Sequence, residues 1–315
     1  MMLFNPKITS FGRNETFGLR YGWLPKGYNA FKKNKNIFTE DSVCSELGLG
    51  KNMVQSMRYW LYAYSIMDQK KGDLTNLADL IFDNRSGLDP YMEDIGTLWL
   101  LHWKLCTNPH QATLYYWFFN HFRSSVFTKS EVMSHLVEWL SEKTVKSKSA
   151  NTLERDLSLL LRTYSIDEVD TKNIEEILEN PFSDLNLIIK GQESSYRSVF
   201  KSREGMDPRL MGFFLMDLIN TKDRGEDQLD MLKGNKGEQT TSIPLGELIH
   251  PNLMKMPSIT SIFRLDENTF YTLIENLTTL YPDCFDLRED AGVKQLYFLK
   301  EDVSETNFLK DYYVG

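Results

Sequence analysis

The sequence lacks the segments that would direct it into or across a membrane. It has no run of the roughly 20 apolar residues that span a bilayer, and residues 1–6 lack the basic and apolar stretches of a signal peptide. Its three cysteines, Cys44, Cys106 and Cys284, are too far apart for a CxxC metal site and leave one thiol over in any disulfide scheme. We therefore expect a cytoplasmic protein with reduced thiols and no membrane partner.

The sequence also lacks a recognisable catalytic or nucleotide-binding motif. No HxxE, HExxH, DxD or GxSxG pattern stands in the context that its chemistry requires. The stretch from Gly48 to Lys51 fails the phosphate-loop pattern, because Ser45 replaces its first glycine and Asn52 replaces the residue that would hold magnesium. Spacing alone therefore assigns no catalytic residue.

Charge is distributed unevenly along a chain whose 41% hydrophobic content is sufficient for real cores. Residues 1–72 hold eleven basic and five acidic residues, a net charge of +6. Since the whole chain has a net charge of −8, the remaining residues have a net charge of −14. A basic lobe on an acidic body favours local contact with phosphates. The alternative is a chance fluctuation on a solvated surface.

The basic lobe has the pattern of a winged helix-turn-helix. Thr39 is a candidate N-cap for a short helix over 40–47, and Gly48 and Gly50 predict a tight turn. Apolar residues at three- and four-residue steps then predict a longer helix over 51–65. A short strand over 66–69 and the tip Lys70-Lys71-Gly72 would form the wing.

The outer face of the longer helix supplies the candidate DNA contacts. The positions outside its apolar stripe are Lys51, Asn52, Gln55, Ser56, Arg58 and Tyr59. The amides of Asn52 and Gln55 can pair with adenine, and Arg58 can pair with guanine or phosphate. Lys51, with Lys70 and Lys71 at the wing tip, suits phosphate contact. The alternative is a solvated helix face in a protein-interaction module.

A group of acids offers a candidate metal site. Asp89 before Pro90 predicts a capped helix start, which would place Asp89 and Glu93 one turn apart, in reach of one Mg²⁺ or Mn²⁺ ion. With Asp94 they are the candidate catalytic residues for cleavage of a phosphodiester bond. The alternative is that these acids only favour the positive end of the helix dipole.

The remaining segments predict mostly helices. The aromatic residues between Trp99 and Phe119 stand at helical spacing, which favours a packed core over a base-stacking platform, and His102 is predicted to lie in that core. Helices are predicted over 97–105, 111–122, 130–143, 151–164, 167–179 and 266–281, strands near 285–287 and 295–299, and flexible stretches over 193–207 and 221–239.

Several strings together resemble a bacterial family of unknown function that is found in DNA-phosphorothioation and anti-phage islands. They are FGLRYGWL at 17–24, LGLGKNMV at 47–54, GLDPYMED at 87–94, TLWLLHW at 97–103, FFNHF at 118–122, TLERD at 152–156, LRTY at 161–164 and YY at 312–313. The resemblance covers nearly the whole chain. The family is identified with the SspB-type nicking component of these systems.

The resemblance implies a function and partners. In such systems sulfur replaces a non-bridging phosphate oxygen, and opening one DNA strand would give the sulfur-transferring enzyme access to the backbone. The implied partners are DNA, a cysteine desulfurase, a sulfurtransferase similar to phosphoadenosine-phosphosulfate (PAPS) reductases and an ATPase.

The predicted fold is mainly α, of the α+β type. It comprises a winged helix-turn-helix domain over 1–86, a central helical domain over 87–200 and a C-terminal α/β, winged-helix-like domain over 201–315. Three functions remain open: a metal-dependent DNA nickase, a non-catalytic DNA-binding adaptor or transcriptional regulator that recruits the modifying enzymes, and a protein-interaction scaffold.

Overall fold

The computed structural model describes residues 4–145, 148–165, 180–220, 241–250, 256–290, 292–300 and 303–315. The helix predicted over 167–179 and the flexible stretch predicted over 221–239 lie outside these residues.

The described chain is built mainly of helices, with two small antiparallel sheets. In chain order the helices are α1 (Trp23–Lys33), α2 (Val43–Leu47), α3 (Lys51–Ala63), α4 (Asn76–Phe82), α5 (Ile95–Cys106), α6 (Thr113–Asn120), α7 (Lys129–Lys143), α8 (Ala150–Tyr164), α9 (Pro208–Asn220), α10 (Leu245–Ile249), α11 (Ile259–Phe263), α12 (Glu267–Leu280) and α13 (Glu305–Val314). The strands are β1 (Val126–Thr128), β2 (Ile189–Lys190), β3 (Ser195–Arg197), β4 (Thr241–Pro244), β5 (Phe285–Asp290) and β6 (Val293–Phe298). The predicted fold class, mainly α with α+β character, is confirmed.

The chain divides into two compact units. One contains Asn5–Phe118 and Ser124–Val199, and the other contains Met1–Phe4, Phe119–Arg123 and Phe200–Gly315. The subdivision at residue 86 and the winged-helix character of both ends remain predictions.

The core of the first unit is built around α5. Nearly every side chain of α5 is buried, as its continuous apolar sequence requires. His102 lies in this core, where its Nδ1 is 2.7 Å from the hydroxyl of Tyr164. Tyr164 in turn contacts the rings of Tyr115 and Phe182. The aromatic run and His102 are therefore packed core, as predicted.

Two long helices of this unit begin at capping side chains. Thr128 and Glu131 form a reciprocal capping box at the start of α7. At α8 the Ser149 hydroxyl accepts the Thr152 amide at 3.2 Å, and the helix begins at Ala150, one residue before the predicted start. The unit also carries a three-stranded antiparallel sheet of order β1-β3-β2.

The second unit packs α9, α12 and α13 with a sheet of order β4-β6-β5. Gly212 on α9 allows close approach, because a Cβ there would stand 2.7 Å from Cδ1 of Phe308 on α13. The predicted helix over 266–281 and the β5–β6 hairpin are present, with Asp266 capping α12 through the Thr269 amide at 3.0 Å.

The cysteines and the apolar character of the helices both bear on what the composition predicted. Cys44, Cys106 and Cys284 are free thiols. None of the helices in the described ranges combines the length and apolar character needed to cross a bilayer.

Candidate nucleic-acid interface

A helix–glycine turn–helix stands where the sequence predicted it. Gly48 ends α2 with a left-handed φ of 63°, and the amide of Leu49 donates to the carbonyl of Cys44 at 3.1 Å. Gly50 is extended and precedes the first turn of α3, which starts at Lys51. The short helix α2 starts at Val43, later than predicted, because Thr39 belongs to a 3-10 turn and its hydroxyl donates to Asn36.

The inner face of α3 is the apolar stripe that the periodicity predicted. Val54, Met57, Trp60 and Leu61 are buried. Leu61 and Met57 meet α1 at Gly27, where an added Cβ would lie 2.9 Å from Cδ1 of Leu61 and 3.3 Å from the sulfur of Met57. This close helix contact fixes the orientation of α3 and so determines which of its side chains face outward.

The outer face of α3 carries four of the predicted contacts. Lys51, Asn52, Gln55 and Arg58 are exposed. Gln55 and Arg58 line a groove of about 610 Å³, together with Arg13, Glu15 and Gln69 among others. Arg13 was not singled out from the sequence, although it was counted in the basic lobe. The groove thus presents amides and guanidinium groups side by side.

Of the other two predicted contacts, Ser56 does not lie on this face, whereas Tyr59 lines the same groove as Gln55 and Arg58. Ser56 is fully buried, and its hydroxyl donates to the carbonyl of Phe17 at 3.1 Å. Tyr59 is half-buried, and its hydroxyl donates to the carbonyl of Gln111 at 3.0 Å. The prediction that Ser56 faces outward is wrong, and the polar group of Tyr59 is engaged within the protein.

A short hairpin turn follows α3. Met67 and Leu74 form an isolated antiparallel bridge, so the strand predicted over 66–69 is reduced to one bridged residue. The carboxylate of Asp68 accepts the amides of both Lys70 and Lys71 at 2.8 Å and shapes the tip. The side chains of Lys70 and Lys71 are exposed.

Part of the positive charge of this lobe is compensated by acids that follow the counted segment. Lys32 lies 2.9 Å from Asp79 and 2.5 Å from Asp83, and Lys35 lies 2.5 Å from Asp73. The hydrogen bond from Lys32 is the main cause that holds the pKa of Asp83 below its ordinary value. The net charge of +6 therefore overstates the field of the lobe. Lys51 and Arg58 lie on α3, and Lys70 and Lys71 lie on the hairpin with Asp68 and Asp73.

Sequence and structure comparisons place this geometry in a known family. The sequence model of the DUF4007 family, described as a protein of unknown function, matches residues 11–313 of this chain. The chain belongs to the DUF4007 family. Among curated proteins none matches the sequence.

Two solved structures resemble the DUF4007 chain. A crystal structure of SspB is 25% identical, with a TM-score of 0.81 over 99% of this chain and 90% of the other. A structure described as magnesium ion-bound SspB is also 25% identical, with a TM-score of 0.81 over 97% of this chain and 88% of the other.

In the DUF4007 chain Asp89, one of the two acids predicted to hold a metal, acts as a structural acceptor. Asp89 is 7% exposed, and its carboxylate accepts the amides of Glu93 and Asp94 at 3.0 Å each and the hydroxyl of Thr97 at 2.5 Å. The helix start predicted at Pro90 is wrong, because residues 90–94 form a turn in which Met92 is buried with a left-handed φ of 62°; the helix predicted over 97–105 is α5, which begins at Ile95.

These positions do not fit a shared metal site. Asp94 caps α5 by accepting the Gly96 amide at 2.6 Å, and Glu93 is exposed in the loop before the helix. Asp89 and Glu93 are therefore not one helical turn apart, which corrects the geometry on which the predicted magnesium or manganese site depended. Across the described ranges, no three His, Cys, Asp or Glu side chains form a group able to hold a metal ion.

Proposed function

We propose that this DUF4007 protein binds duplex DNA through the outer face of α3 and the tip of the following hairpin. The observation that carries the proposal is the exposed set Lys51, Asn52, Gln55 and Arg58 on a helix that follows a glycine turn. Recognition helices present their first turns to base edges in the major groove. Amides and guanidinium groups are the side chains that pair bidentately with adenine and guanine.

The biological setting of this binding is a DNA-phosphorothioation system. Family membership and the similarity to SspB over nearly the full chain support it. In this setting the protein positions the modifying enzymes on DNA, and its partners are a cysteine desulfurase, a PAPS-reductase-like sulfurtransferase and an ATPase. In this role the exposed α3 face supplies the contact with DNA, and the protein needs no catalytic group of its own.

Fluorescence anisotropy with a labelled duplex tests DNA binding. Lys51→Ala with Arg58→Ala should weaken binding, by about 1–3 kcal/mol for each specific contact with a base that the substitutions remove. The matched control, Lys143→Ala with Lys310→Ala, removes the same charge from exposed positions on α7 and α13 and should bind as wild type does. Equal weakening in both variants would show that binding depends only on net charge. Unchanged binding of the Lys51→Ala, Arg58→Ala variant would contradict the proposal and favour the protein-interaction scaffold.

DNA nicking is a second candidate function, favoured by the relative described as magnesium ion-bound SspB. Supercoiled plasmid incubated with the full chain and Mg²⁺ or Mn²⁺ should then relax to nicked circles, and EDTA should prevent this. Binding without relaxation would support the adaptor alone. Since Asp89 and Asp94 are structural acceptors, loss of nicking in their variants counts only if folding is intact.

A further inference from the structure

A second groove in the unit that contains α3 is lined by cations from four separate segments. Its basic side chains are Arg20, Lys129, Arg155, Arg162 and Lys190. Among the described residues that line this groove none is aspartate or glutamate. We call it the five-cation groove. Its volume is about 450 Å³, within the range of small-molecule sites.

The wall of this groove is set by α8. Arg155, Ser158 and Arg162 recur at three- and four-residue steps and so share one face of the helix. The opposite wall is the segment Thr16–Arg20, which lies against α8: a Cβ on Gly18 would stand 3.6 Å from Cδ1 of Leu159, and the Arg162 guanidinium donates to the carbonyl of Thr16 at 3.4 Å.

The remaining sides come from α7 and the first sheet. Lys129 is the first residue of α7, and its ammonium lies 3.0 Å from Glu154. Lys190 and Tyr196 are paired partners on β2 and β3. One face of the Tyr196 ring stacks on Phe127, with the ring centroids 5.9 Å apart. The ring is thereby held in place at the edge of the groove.

We propose that the five-cation groove binds a free nucleotide through its phosphates. A concave site of one charge sign concentrates counter-ions, and arginine forks match phosphate oxygens bidentately. Tyr196 offers a fixed aromatic surface on which a base can stack. The cations come from several elements and surround one volume of about the size of a nucleotide. A site for a strand of nucleic acid would instead have its cations spread along an extended surface. This site is separate from the outer face of α3.

Titration of the full-length protein with ATP and with inorganic pyrophosphate tests the proposal by calorimetry. Wild type should bind ATP more tightly than pyrophosphate. Arg155→Ala with Arg162→Ala should weaken both by about tenfold or more, because two charge-assisted interactions with phosphate are removed. Both side chains are exposed, so the variant should fold, which circular dichroism can verify. Arg155→Lys with Arg162→Lys keeps the charge without the forks and should show an intermediate weakening.

The control Lys143→Ala with Lys310→Ala should bind ATP as wild type does. The proposal is overturned if wild type binds neither probe at millimolar concentration, or if the control loses as much affinity as the α8 variant. It is also overturned if only oligonucleotides compete for the groove, because the site then belongs to a nucleic-acid surface. Duplex binding that depends on Lys51 and Arg58 should persist in the α8 variant, so failure of either proposal can be distinguished from failure of the other.

Discussion

Replacing Asp89 separates a structural carboxylate from a catalytic one. Asp89→Ala removes the acceptor of two backbone amides and of the buried hydroxyl of Thr97. A hydrogen bond to a charged group contributes about 1.5–3 kcal/mol. Two of these three donors are only partly buried and regain water, so we expect a total loss of about 3 kcal/mol in unfolding free energy. For a unit of this size, that corresponds to a fall in Tm of roughly 6–12 °C.

The assay combines urea and thermal unfolding with plasmid relaxation on the same preparations. Asp89→Asn retains one carbonyl oxygen for one amide but offers an amide nitrogen in place of the second acceptor, so it should lose about half as much stability. Glu93→Ala is the matched control: its side chain is exposed, and its stability should change by less than about 0.5 kcal/mol.

The reasoning is refuted if Asp89→Ala unfolds at the same urea concentration and temperature as wild type. If that stable variant also failed to relax plasmid that wild type nicks, Asp89 would be a catalytic group and the structural assignment would be wrong. A parallel decline of stability and activity, with Glu93→Ala unaffected, supports the structural role.

Two further predictions concern packing and pH. Gly212→Ala should destabilise the C-terminal unit by about 1–2 kcal/mol, because its Cβ would press on the Phe308 ring at 2.7 Å and the gain in helix propensity offsets only part of this; unchanged thermal unfolding would contradict it. The lowered pKa of Asp83 means that its carboxylate stabilises the fold above the unfolded-state pKa of about 3.9, and this contribution disappears as the pH falls through the folded-state value. Lys32→Met should therefore make unfolding free energy less dependent on pH in acid, and an unchanged slope between about pH 5 and pH 2 would contradict this.

The sequence by itself determined the features that follow from local periodicity and conformational preference. The apolar stripe from Val54 to Leu61 required a helix with one buried face, and Gly48 supplied the left-handed residue that turns the chain into it. The aromatic content of α5 and α6 required a core, and the alternating segment after α12 required a hairpin. Each of these depends on residues within a few positions of one another.

Only the tertiary structure decided which polar side chains are available. Ser56 is buried because a segment from far along the chain packs over it: its hydroxyl donates to the carbonyl of Phe17, 39 residues earlier. Pro90 does not begin a helix because burial of Met92 keeps the loop in a left-handed conformation and turns Asp89 onto the following amides. The five-cation groove is lined by residues as far apart in the chain as Arg20 and Lys190. No local sequence pattern predicts that these charges lie together, because only the packing of their segments around α8 brings them to one volume.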